Sequence, residues 1–111
     1  MKASIWLLAV VTVLGLGTVV MAQEADPQFV TLYKTKCAAC HGADGKAETP
    51  AGKKLNTRSF FLPEIMKAPD AELIEITAKG KNKMPAFEKK LTDVQIKAMV
   101  SYIRGLTKAK K

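Results

Sequence analysis

The sequence predicts an all-α domain of three to four helices, and three observations carry that prediction. Apolar residues recur at helical spacing in three segments. Each segment has a capping residue at its start or a glycine at its end. No segment shows sustained strand alternation with hairpin turns, and the chain has no internal repeat.

The elements follow in chain order. Lys2, the apolar run Ile5 to Met21 and the small or apolar residues Val20-Met21-Ala22 before Gln23 have the layout of a secretory signal peptide. The expected organisation is therefore a leader over 1–22 and a domain over 23–111. The ordered core of that domain is expected over about 26–106, with a basic tail at 107–111. The rival reading of the leader is an uncut membrane anchor, since the run lies near the short end of the roughly 17–25 residues that span a bilayer. In the domain, Asp26 is a good N-cap and Pro27 fits the first helical position. The first helix then runs to about Cys37, with Phe29, Val30, Tyr33 and Cys37 on one face. Ala43 to Thr57 reads as loop, a short turn is placed near Pro63 to Lys67, and Asp70 to Lys79 is a helix stopped by Gly80. The last helix has the strongest start. Thr92 and Gln95 form a capping box, and Leu91 and Ile96 stand where a hydrophobic staple would put them. Ile96, Met99, Val100 and Ile103 give this helix its stripe, with Gly105 as the expected stop.

Bulk composition narrows the chemistry. The chain has 111 residues, a formal net charge of +8, two cysteines and one histidine. Sites that need several His or Cys ligands are excluded within one chain. A domain this short also buries little surface against its chain entropy, so a cross-link or large cofactor is expected to supplement its core.

Cys37-Ala38-Ala39-Cys40-His41 matches the C-x-x-C-H pattern of c-type haem attachment. Two intervening residues let both thiols reach the two vinyl groups on one porphyrin edge. The following imidazole then lies below the iron. The other readings are a thioredoxin-like pair, which needs a βαβ context, a zinc site, which needs four ligands, and a plain disulfide. With no second histidine, methionine is the natural second axial ligand. Met99 belongs to the helical stripe, and Met66 follows Leu62 and Ile65 as packing. Met84 sits in Lys81-Asn82-Lys83-Met84-Pro85-Ala86-Phe87, where no periodicity asks for an apolar residue. Pro85 biases Met84 toward extended backbone, suited to presenting a side chain from a loop. A buried loop methionine is the competing reading.

The paired motifs Cys-Ala-Ala-Cys-His and Gly-Lys-Asn-Lys-Met-Pro-Ala-Phe, followed by a capped terminal helix with Tyr102, resemble those of class I c-type cytochromes, in particular short bacterial monohaem proteins of the periplasm. The resemblance implies the cytochrome c fold wrapped around one covalent haem, held through Cys37 and Cys40, with His41 and Met84 on the iron. It implies first and last helices that meet through Phe29 and Tyr33 against Tyr102 and Val100. It also implies a proline carbonyl, matched by Pro50, that accepts from the ligand histidine, and an Arg58 near a haem propionate. A turn proline and a solvated arginine are the plainer readings of these two. The function implied is one-electron transfer rather than enzymatic catalysis, in a periplasmic respiratory or dehydrogenase-linked chain. A dedicated subunit of a periplasmic dehydrogenase complex is the alternative, and an open-iron sensor or peroxidase-like enzyme a more distant one. Lys79, Lys81, Lys83, Lys89 and Lys90 flank Met84 and would steer a monomer onto acidic docking surfaces of redox proteins. Neither nucleic acid nor more than transient membrane contact is expected.

Overall fold

Asp26 and Pro27 do what their residue types dictate. The Asp26 carboxylate accepts from the amide of Gln28 at 3.0 Å, and α1 spans Pro27–Lys36. The computed structural model describes residues 26–109, together with Gly15 and Gly17. The expected leader, apart from those two glycines, lies outside the described residues. Five helices follow α1: α2 (Ala38–His41), α3 (Pro50–Lys54), α4 (Pro63–Lys67), α5 (Asp70–Lys79) and α6 (Asp93–Ala109). The described residues contain no strand beyond an isolated bridge between Lys81 and Met84. The all-α expectation holds, with α2 and α3 as short additions to the predicted set. Among the described residues no helix is long and apolar enough to cross a membrane.

The core is built by α1 and α6, the loop that precedes α6, and Phe60 from the segment between α3 and α4. Tyr33, Phe60, Phe87, Leu91, Ile96 and Met99 are buried in one cluster, and Tyr33 is 0% exposed. The rings of Tyr33 and Tyr102 meet at 4.7 Å between centroids, which locks α1 across α6 as expected. The Tyr33 hydroxyl donates to the carbonyl of Gly42 at 2.7 Å, just past the end of α2. Burial raises the pKa of this phenol, so it stays a donor throughout the neutral range. One side chain thus ties the main helix pair to the residues that follow Cys40 and His41.

The capping box forms with both bonds. The Thr92 amide donates to Gln95 Oε1 at 2.8 Å, and the Gln95 amide donates to Thr92 Oγ1 at 3.1 Å. Two expectations are corrected. Helix α6 does not stop at Gly105 but continues to Ala109. A glycine inside a helix costs only about 1 kcal/mol, and its neighbour Arg104 outweighs that. The segment 43–57 is not all loop, because Thr49 caps Pro50 and its hydroxyl accepts from the Gly52 amide at 2.9 Å.

Arg104 is the residue that fixes α6 against the middle of the chain. Its Nε donates to Asp70 Oδ1 at 2.9 Å, and one Nη donates to the carbonyls of Ile65 at 3.0 Å and Met66 at 3.2 Å. The other Nη donates to the carbonyl of Ala68. The side chain is 21% exposed, so these bonds are partly shielded from water. Removing it takes this donor from the carbonyls of Met66 and Ala68, while that of Ile65 keeps the Ala68 amide. Arg104→Ala is expected to cost about 2–3 kcal/mol, the range for bonds from a charged donor. Arg104→Lys should recover only part of that, because an ammonium cannot fork. Denaturant unfolding of the two variants checks the order.

Candidate cofactor site

A cavity of about 240 Å³ opens between the motif helix, the middle segments and the loop before α6. Cys37, Cys40, His41 and Met84, which sequence reasoning named from two distant segments, all line it. Leu73, Ile76, Phe60, Phe87 and Ile103 supply apolar walls. Arg58 lines the cavity, and Pro50 does not.

The motif residues are placed by a tight α2–α3 contact. Thr49 Oγ1 donates to the carbonyl of Ala39 at 2.7 Å and approaches that of Cys40 at 3.3 Å. Gly52 packs so closely that an added Cβ would run into the Cys40 carbonyl, and no larger residue fits. Cys37 and Cys40 are half-buried free thiols. Burial pushes the Cys37 thiol up to about 11. Thioredoxin-like cysteines need the opposite shift, so this setting disfavours that reading. Among the described residues no group of three or more His, Cys, Asp or Glu side chains gathers to hold a metal ion.

His41 is half-buried, and desolvation lowers its pKa against a smaller opposing effect from the carbonyl of Arg58. Its Nδ1 stands 3.2 Å from that carbonyl oxygen. A carbonyl can only accept, so Nδ1 carries the proton and the Nε2 lone pair is left free for a metal. This corrects the expected role of Pro50. Pro50 is exposed in the first turn of α3, and its neighbours Thr49 and Gly52 pack on α2, whereas the chain passes the imidazole eight residues later, at Arg58. The Arg58 guanidinium is engaged by Glu64 at 2.5 Å, and both side chains are about half exposed. The Glu64 carboxyl is held below its ordinary pKa by a backbone hydrogen bond first and by Arg58 second.

Met84 is presented by a two-residue turn. The Lys81 amide donates to the Met84 carbonyl at 3.1 Å, and the Met84 amide to the Lys81 carbonyl at 2.9 Å, with Asn82 at φ +53°. Gly80, at φ +79°, lets the backbone of 84–86 close in, since a Cβ there would lie 2.7 Å from the Met84 carbonyl oxygen. The amides of Phe87 and Glu88 then donate to the carbonyls of Thr77 and Ala78, both at 3.1 Å. The loop therefore leaves α5 at Gly80 and is bonded back to the end of α5 just after Met84. Of the other methionines, Met66 is 49% exposed and away from the cavity, while Met99 is 1% exposed and touches it from the core. Lys36, Lys81 and Lys83 stand on the cavity's rim. Lys79 is paired with Glu88 at 2.8 Å, and Lys90 lies 5.7 Å from the centre of the Phe87 ring.

Comparison with known proteins decides what the cavity takes. The family described as cytochrome C oxidase, cbb3-type, subunit III matches residues 25–103. The chain belongs to the c-type cytochrome family. Cytochrome c6 of Porphyra purpurea is 31% identical over 91 residues, covering 82% of this chain and 79% of that protein. The cbb3-type cytochrome c oxidase subunit CcoP of Azospirillum brasilense is 30% identical over 78 residues, which are 68% of this chain. Those residues are 26% of the oxidase subunit, so the chain spans about a quarter of that relative's length. Among solved structures, the c-type cytochrome KustC0563 superposes with a TM-score of 0.63 at 37% identity, covering 69% of this chain and 94% of that one. The cytochrome c6 of the diatom Phaeodactylum tricornutum gives 0.52 at 27% identity, covering 73% and 92%. The cytochrome c fold, a covalently bound haem c and an electron-carrying rather than enzymatic character come with this membership. The residues present fit the group, because two free thiols, an imidazole with a free Nε2 and a thioether line one apolar-walled cavity.

Proposed function

We propose that this chain is a diffusible one-electron carrier of the periplasm. Cys37 and Cys40 would hold the haem through thioether bonds, and His41 and Met84 would ligate its iron. The haem supplies an iron that cycles between ferric and ferrous states. The chain's own residues would supply both ligating atoms, exclude water with Leu73, Ile76 and Phe87, and keep the imidazole proton on Nδ1, which donates to the Arg58 carbonyl. An iron so ligated would offer no open site to a substrate and would change charge with little rearrangement of the chain. A thioether ligand and an apolar cavity both favour the ferrous state. The single observation that carries the reading is that the motif residues and Met84, from two segments distant in the sequence, line one cavity.

The rim lysines support docking of a monomer onto acidic faces of redox partners, with salt-dependent association. The leader expected over 1–22 from the sequence supports export. A domain or dedicated subunit of an oxidase or dehydrogenase complex is the second reading, favoured by the match to cbb3-type subunits. The carrier reading stands ahead because the match to cytochrome c6 covers most of both chains. The test is the visible spectrum of the purified exported protein in both oxidation states. The carrier reading expects a sharp ferrous α band, the weak far-red ferric band of a thioether ligand, and no carbon monoxide adduct. Carbon monoxide binding to the native protein would overturn Met84 as ligand.

A further inference from the structure

The three residues Arg58 to Phe60 meet the imidazole of His41 twice. The Arg58 carbonyl takes its edge at Nδ1, 3.2 Å away. The Phe60 ring covers its face, with centroids 4.4 Å apart and planes within 18°. Phe60 is 7% exposed and belongs to the core cluster, so it is a fixed wall and not a surface ring that follows the histidine. It is fixed from behind as well. Its amide donates to the Gly45 carbonyl at 2.9 Å, and a Cβ on Gly45, itself at φ +79°, would stand 2.8 Å from Phe60 Cδ2. The carbonyl restrains the imidazole at one edge and the stacked ring restrains it across a face, so a turn of the imidazole plane meets Phe60.

We infer that Phe60 is a positioning residue that sets the plane of the His41 imidazole in the haem-loaded protein. The inference rests on His41 being an iron ligand. The angle of an axial imidazole about its bond to iron, together with the orientation of the thioether ligand opposite, sets how the unpaired spin of low-spin ferric haem spreads over the porphyrin. The four ring-methyl proton resonances of the ferric protein report that spread. A purely structural role for Phe60 would lower stability and leave their pattern alone.

The test is proton NMR of ferric, haem-loaded Phe60→Leu, with Phe60→Met as the second variant should the first not accumulate. Either is expected to change the order or spread of the four methyl shifts, whereas Phe60→Tyr, which keeps the ring, should retain the native pattern. Ile96→Val is the control, since Ile96 is 1% exposed in the same core and does not line the cavity. It should lose stability without moving the methyls. A native methyl pattern in Phe60→Leu or Phe60→Met, or an equal change in Ile96→Val, overturns the role of Phe60 and leaves His41 as ligand untouched. A wild-type protein whose spectra lack an imidazole ligand overturns the ligand reading itself.

Discussion

Met84→Ala should yield a folded protein whose ferrous form binds carbon monoxide, whose far-red ferric band is gone and whose reduction potential has fallen. Met84 is half-buried at the cavity wall, so its removal empties little of the core. The turn that presents it is held by backbone bonds from Lys81, Phe87 and Glu88, which alanine leaves in place. The loss therefore appears at the iron, where water replaces a ligand that favours the ferrous state. Met99→Ala should do the reverse. That side chain is 1% exposed in the main cluster, and its deletion is expected to cost about 2–5 kcal/mol with ligation intact. Loss of ligation in Met99→Ala but not in Met84→Ala would invert the assignment.

The double variant Cys37→Ala, Cys40→Ala is expected to carry no haem through denaturing electrophoresis and to unfold far more easily. The cavity would then depend on non-covalent contacts alone, with walls such as Leu73, Ile76 and Ile103 exposed whenever the haem leaves. Without the thioethers the haem stabilises the fold only by mass action, and its dissociation removes about 3–4 kcal/mol, the stabilisation from a ligand at roughly 100–1,000 times its Kd. For a domain of this size that lowers the melting midpoint by roughly 10–30 °C. Each single variant should keep one thioether and fall between. Haem staining and thermal unfolding give the two readouts, and undiminished haem stain in the double variant would refute covalent attachment at these cysteines.

Much of this was legible in the sequence because it rests on local rules. The C-x-x-C-H run, the capping box of Thr92 and Gln95, the Tyr33–Tyr102 contact and the exceptional setting of Met84 each had a short-range signal or a family parallel. What stayed hidden was the backbone's share of the site. Any residue has a carbonyl, so nothing in the letters around Arg58 marks it as the one that meets His41, and a proline was expected in its place. Phe60 gave only an apolar pair with Phe61 inside a stretch without periodicity. Helix α3 could have been found, since Thr49 before Pro50 is an ordinary start signal. Gly105 misled because a glycine scored as a stop says nothing of the neighbour that holds the helix on either side of it.

The Arg104 clasp has a consequence for how the domain opens. Helix α4 has five residues, no side-chain cap at Leu62 and, at its other end, carbonyls bonded to a side chain of α6. A helix that short does not persist alone in water. Its amides are therefore expected to exchange with solvent deuterium only when the second half of α6 lifts away, so that two segments far apart in the chain report a single opening event.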